Sequence, residues 1–198
     1  MTQAPVGRRE RKKAATRQAI ADAALRLFLE HGYDQVSLRD IADAADVSIT
    51  TLFKHFTGKE ALVFDQDQAN EAHLITAVRQ RNEGEGIVEA LRRHVLESYG
   101  TVVAHPQVAE FNELVKSTPV LRAYAERMWT RHTDTLSAVI ADEIGADRND
   151  LACRALARFV LEIPALIQDT ADHPAAIETI FNILKYGWTP PNAPQSER

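Results

Sequence analysis

Between Ser37 and Lys59 the sequence encodes two helices too short to stand alone, and this stretch limits the possible folds of the chain more than any other. Ser37 followed by Asp40 has the form of a capping box, and Leu38, Ile41, Ala42 and Ala45 recur at i, i+3, i+4 and i+7, which predicts a helix over about 38–45. After Asp46 and Val47, Ser48 is placed to cap a second helix reaching about His55. Isolated helices shorter than about 12–15 residues are marginal in water, so both need a longer element to pack on. The preceding helix, over about 9–30, supplies it: Ile20, Ala24, Leu27 and Phe28 share one face, and Gly32 ends it. Leu38, Ile41, Ala42, Val47 and Leu52 are spaced to bury against Leu27 and Phe28, and the small Ala42 lets the two short helices approach closely.

The rest of the chain also reads as helix. Glycine and proline number only 8 each in 198 residues and no segment alternates apolar and polar residues with period two, so the fold class is all-α, with about nine helices. Thr57 with Glu60 resembles a further capping box, opening a long helix to about Arg81. Beyond the interruption at Gly84 and Gly86, helices are expected over about 87–104 and 106–116. Thr118 and Pro119 start another that Gly145 ends. Asp147 with Asp150 precedes a helix over about 151–170, bent near Pro164, and the last helix, over about 174–188, leads into a proline-rich tail, 189–198, read as disordered.

Bulk properties set the compartment and the partner. A single cysteine, Cys153, allows no internal disulfide and suits a reducing cytoplasm. No apolar stretch approaches the roughly 20 residues that span a bilayer; the best candidate, from Phe159 to Ile167, is broken by Glu162 and Pro164. The basic N-terminus has no apolar run behind it of the kind a secretion signal needs, and the expectation is a soluble cytoplasmic protein. A net charge of −5 by itself argues against a nucleic-acid partner, yet its distribution argues for one. Residues 1–60 hold 10 Lys/Arg against 8 Asp/Glu, whereas 61–198 hold 13 against 20. Arg8, Arg9, Arg11, Lys12, Lys13 and Arg17 face a single acid, Glu10, in the first 17 residues. A basic arm on an acidic body is the asymmetry of a protein whose one end meets DNA, although a solvated charge run has the same form.

Two short helices joined by a tight turn and braced by a third have the layout of a helix-turn-helix, whose second helix enters the DNA major groove. With Leu52 turned inward, Ile49, Thr50, Phe53 and Lys54 point outward, and Thr and Ile can reach base edges or a thymine methyl. Ser37, Arg39, His55 and Lys59 flank this helix where phosphates would lie. Enzymatic chemistry has no matching pattern. None of the histidines 31, 55, 73, 94, 105, 132 and 173 forms His-Glu-x-x-His, no glycine-rich phosphate loop or Gly-x-Ser-x-Gly elbow occurs, and no metal or cofactor is expected. The competing reading is a helical ligand-binding or protein-interaction module without DNA binding, since exposed Ile49 and Phe53 would also suit a protein groove.

The runs Phe28-Leu-Glu-His-Gly-Tyr-Asp-Gln-Val-Ser-Leu-Arg-Asp-Ile-Ala and Val47-Ser-Ile-Thr-Thr-Leu-Phe-Lys-His-Phe-Thr-Gly-Lys-Glu-Ala-Leu resemble the N-terminal domain of the tetracycline-repressor (TetR) family of regulators. The likeness covers about residues 12–64. It implies a helix-turn-helix domain with its basic arm over 1–58 and a ligand-binding and dimerisation domain over 59–188. It further implies a homodimer that binds a palindromic double-stranded DNA operator, usually as a repressor, and releases it when a small hydrophobic effector enters the second domain. By the same resemblance Ile49, Thr50 and Thr51 face bases, Arg39 a base or a phosphate, and Ser37, Phe53, Lys54, His55 and Lys59 the DNA backbone. Two positions depart from the family pattern. Phe53 stands where tyrosine is common, removing a phenolic bond to phosphate, and Asp46 stands where glycine is common, at a turn where a positive φ is convenient. The basic arm either reaches an adjacent minor groove or is mobile.

Such proteins use their C-terminal helices for dimerisation and for a ligand. Leu156, Val160, Ile163, Ile177, Ile180, Phe181, Leu184 and Trp188 are suited to a four-helix subunit interface, or to the core of one subunit. For a pocket the sequence offers Phe64, Tyr99, Phe111, Met128, Trp129 and Phe159, with Arg93, His94 and His132 as polar anchors; ordinary core residues would have the same pattern.

Overall fold

The computed structural model describes residues 7–103 and 107–187, the side chains of 99–103 excepted. Among the described residues it contains ten helices and no strand: α1 (Arg8–His31), α2 (Leu38–Ala44), α3 (Ile49–His55), α4 (Glu60–Val63), α5 (Asp67–Arg79), α6 (Ile87–Val103), α7 (Val108–Ser117), α8 (Pro119–Ile144), α9 (Leu151–Ile167) and α10 (His173–Tyr186). The extra helix arises because the long element expected after Thr57 is two. α4 ends at Phe64 (φ −105°, ψ 46°) and α5 begins at Asp67. The Thr57/Glu60 box does not form either: Lys59 occupies the cap position, and no side chain caps there. The other caps follow local chemistry. Asp150 accepts from the Cys153 amide at α9, Asp172 from the Ala175 amide at α10, and Gly32, Gly145 and Gly187 close helices at positive φ.

The chain divides into two compact units, residues 7–68 with 107–126, and residues 69–103 with 127–187. The first unit thus extends past residue 58 and takes in a second, distant stretch. Its core is built on α1. Ile20, Ala24 and Phe28 meet Ile41 and Ala42 of α2, Leu52 of α3, Phe56, and Leu62 of α4, with Leu114 of α7 and Leu121 of α8 in the same cluster. Phe64 stacks on Tyr124 (centroids 5.1 Å apart) and meets the edge of Phe111 (6.1 Å), sealing the side of that cluster.

The second unit packs Leu74 and Val78 of α5, Leu91 of α6, Leu136 and Ile140 of α8, and the inner faces of α9 and α10 into one core. Ion pairs close its periphery: Arg92–Glu178 (2.5 Å) and Lys185–Glu89 join α6 to α10, and Arg81–Glu143 (2.5 Å) joins the end of α5 to α8. Val160, Ile163, Ile177 and Phe181, expected at a subunit interface, are buried in this core, so they have no surface left to offer a partner. Leu156, Ile180 and Leu184 pack partly buried against the same core, and Trp188 and the tail lie outside the described residues. No described helix is long and apolar enough to cross a membrane.

Candidate DNA interface

The two short helices are held as their sequence requires. The Ser37 hydroxyl oxygen accepts from the Asp40 amide at 3.2 Å while the Asp40 carboxylate accepts from the Ser37 amide at 2.8 Å, a reciprocal capping box. Hydrogen bonds from the Ser37 side chain and from the Ser37 amide hold the Asp40 carboxyl below its ordinary range. The turn is closed by the Val47 amide on the Ala42 carbonyl at 2.9 Å, and it puts Asp46 at φ +52°, the one described non-glycine residue in the left-handed region. Ser48 then caps α3, accepting from the Thr51 amide at 3.1 Å and pairing with the Thr51 hydroxyl at 2.8 Å. Ile41, Ala42 and Leu52 are fully buried, with Leu38, Val47 and Leu27 partly buried around them, so the expected α1–α2–α3 packing is present.

With Leu52 anchoring one face of α3, the other is open. Ile49 (38% exposed), Thr50, Phe53 (54%) and Lys54 face outward, a ridge of two apolar groups, a hydroxyl and an ammonium. Ser37 and Arg39 at the start of α2 are exposed as well. Thr51 and His55 are half-buried, and the Thr51 hydroxyl is engaged within the helix cap. Burial, then the charges of Arg17, Lys13 and Lys54, push the His55 pKa below its ordinary value. Lys59 departs from expectation: its ammonium donates to the Tyr33 carbonyl and sits 4.1 Å from the Tyr33 ring centroid, and burial lowers its pKa. This lysine pins the loop between α1 and α2 to the start of α4. Arg8, Arg9, Arg11, Lys12 and Lys13 lie exposed along the first turns of α1.

The residues expected to line a pocket do not form one cluster. Phe64 and Phe111 belong to the aromatic packing of the first unit. In the second, Met128 and His132 are buried, with the Trp129 ring edge-on to His132 at 5.5 Å. Arg93 is held by Glu85 through two bonds of 3.0 Å, and His94 is half-buried, its pKa lowered by burial and by His73. Phe159 points outward on α9, 55% exposed, and the Tyr99 side chain lies outside the described residues. The second unit carries an open cleft of about 310 Å³ between α8 and α9, lined by Thr130, Thr133, Asp134, Leu151, Arg154, Ala155 and Arg158, none of which the sequence singled out. Thr130, Thr133, Asp134, Arg154 and Arg158 read in sequence as an ordinary solvated helix face, so no sequence signal marks the cleft.

Comparison with known proteins agrees with this geometry. The family described as bacterial regulatory proteins, tetR family, matches residues 20–65, and that described as MftR C-terminal domain matches residues 85–187. TcmR of Streptomyces glaucescens, described as an HTH-type transcriptional regulator, is 30% identical over 155 residues, covering 73% of this chain and 67% of that protein. MftR of Mycobacterium tuberculosis, a transcriptional regulator named for mycofactocin biosynthesis, is 26% identical over 155 residues, 77% of this chain and 78% of its own. Among solved structures, GusR of Salmonella enterica shares the fold with a TM-score of 0.58 at 21% identity, over 87% of this chain and 95% of that one.

Proposed function

We propose that this chain, which belongs to the tetR family of bacterial regulatory proteins, binds a palindromic operator as a homodimer, represses transcription there, and lets go when a small hydrophobic molecule occupies its second unit. It is a DNA-binding transcriptional regulator and not an enzyme. The observation that carries the site assignment is the outward ridge of α3, exposed at Ile49, Thr50, Phe53 and Lys54 on a helix whose inner face and N-terminus are both fixed. In this reading α3 lies in the major groove with Ile49, Thr50 and Thr51 toward base edges, while Ser37, Arg39, Phe53, Lys54 and His55 follow the backbone. Lys59 acts from inside, holding the loop that presents Ser37. The residues that contact DNA lie before residue 59 in the first unit, and the second unit carries the effector and the subunit contact, acting in the cytoplasm.

The subunit contact falls on the outer faces of α9 and α10, where Leu151, Phe159 and Leu166, and Ile183 and Tyr186, are exposed large apolar side chains. Selection of bound duplexes from a random-sequence pool tests the reading. A dimer with one α3 per subunit returns inverted repeats with half-sites about 34–36 Å apart or a multiple of that. Recovery of no enriched sequence by folded protein would favour the module without DNA binding.

A further inference from the structure

Arg17 stands in sequence with the basic side chains of the N-terminal arm, yet the fold separates it from them. Arg8, Arg9, Arg11, Lys12 and Lys13 are exposed, while Arg17 is half-buried with its guanidinium 4.2 Å from the centroid of the buried Phe56 ring. Its Nη1 donates to the His55 carbonyl at 2.5 Å and its Nη2 to the Asp65 carbonyl at 2.9 Å. Both acceptors are backbone carbonyls at or just beyond a helix end. The last carbonyls of a helix have no amide partner inside it, and His55 is the final residue of α3, after which Phe56 leaves in an extended conformation (φ −133°, ψ 134°). Asp65 lies in the break between α4 and α5. A planar fork from α1 thus bridges two carbonyls 10 residues apart in sequence, and its positive charge sits at the negative end of α3.

We infer that Arg17 is a positioning residue for DNA recognition, fixing the C-terminal end of α3 to α1 so that Ile49, Thr50, Phe53 and Lys54 meet the groove at a set angle, and that it does not itself contact phosphate. The turn from α2, closed by the Val47 amide on the Ala42 carbonyl, fixes the other end of the same helix, so α3 is secured at both ends and by Leu52 between them. A seven-residue helix has little rigidity of its own, which makes these three attachments the determinants of its orientation. The inference rests on α3 being the reading helix.

The two roles differ in what salt does. Removing a phosphate contact weakens binding to every duplex alike and lowers the slope of log affinity against log salt by about 0.9. Removing a positioning residue weakens the selected duplex alone and leaves the slope unchanged. The experiment compares Arg17→Gln, Arg17→Lys, Lys13→Gln and Thr50→Ala with the unsubstituted protein, on a duplex selected from a random pool and on its shuffled counterpart, across a salt series. Arg17→Gln is expected to lose at least about tenfold on the selected duplex, from two charge-assisted bonds, with the shuffled duplex and the slope unmoved. Arg17→Lys, which keeps the charge and one donor, should fall between, and if the glutamine variant fails to fold it carries the same comparison. A slope lowered by about one with both duplexes weakened equally would make Arg17 a phosphate ligand and overturn the inference. Unchanged selected-duplex affinity in Arg17→Gln, while Thr50→Ala loses it, would overturn the inference and leave the α3 reading intact. No effect of Thr50→Ala would overturn both.

Discussion

Ser37 is assigned two tasks at once, and they are separable by substitution. Its hydroxyl oxygen accepts from the Asp40 amide, and its proton, directed at the Asp40 carboxylate in the free protein, is the donor offered to a phosphate when DNA binds. Alanine removes both functions. Loss of an N-cap serine to alanine costs about 1 kcal/mol, whereas glycine at the same position costs only a few tenths. In a chain of this size about 1 kcal/mol corresponds to a melting-temperature shift of about 2–4 °C. Both substitutions remove the hydroxyl, and a hydrogen bond to a charged phosphate is worth about 1.5–3 kcal/mol, roughly tenfold or more in affinity. Ser37→Ala should therefore melt about 2–4 °C low and Ser37→Gly near the unsubstituted protein, while both lose DNA affinity to a similar extent. Thermal unfolding by circular dichroism and fluorescence anisotropy on a selected duplex supply the two readings. A glycine variant that binds as tightly as the unsubstituted protein would refute the phosphate contact, and equal melting of the two variants would refute the capping assignment.

Further outcomes follow from the same geometry. Asp46 holds φ +52°, which costs an L-residue up to about 1–2 kcal/mol, so Asp46→Gly should be neutral or stabilising by up to about 1 kcal/mol and Asp46→Ala destabilising by about 1 kcal/mol, in urea titration. His55 has a lowered pKa in the folded chain, so folding stability is fully present above its ordinary value near 6.5 and declines as pH falls from there toward the folded value. A neighbouring phosphate reverses that shift, so DNA affinity should rise between pH 7.5 and 6, and His55→Gln should flatten much of the rise in an anisotropy series; an unaltered profile would remove His55 from the interface. Phe159→Glu places a charge in the exposed apolar face of α9 and is expected to yield monomers by light scattering, whereas an intact dimer would move the interface elsewhere.

The parts of this molecule that were legible in its sequence are those fixed by short-range chemistry. The Ser37–Asp40 box, the Ser48 cap and the spacing of Ile41, Ala42 and Leu52 act within a few residues, and each formed as its residue types require. Asp46 at positive φ was expected only through the family resemblance, from the glycine common at that position. The break after α4 was not, because no glycine or proline marks 64–66; long-range partners hold it, with Phe64 stacked on Tyr124 and the Asp65 carbonyl taken by Arg17. Lys59 and Arg17 look like phosphate ligands from their charge, and only their partners, the Tyr33 carbonyl for the one and the His55 and Asp65 carbonyls for the other, show them turned inward. In α9 and α10 the helical period identifies apolar faces without saying which one the subunit buries itself. Val160, Ile163, Ile177 and Phe181 went to the core while Leu151, Phe159 and Leu166 stayed outside.

The most direct test of the central claim is the affinity of the full chain for duplexes tiling the DNA upstream of its own gene, by fluorescence anisotropy at two salt concentrations, beside an Ile49→Ala/Thr50→Ala variant. The account predicts one duplex bound about 100–1,000-fold more tightly than its shuffled form, steep weakening with salt, and loss of that preference in the variant with its residual binding to shuffled DNA unchanged. A variant that keeps the full sequence preference would contradict it, because the groove-facing residues of α3 would then not be the ones that read DNA.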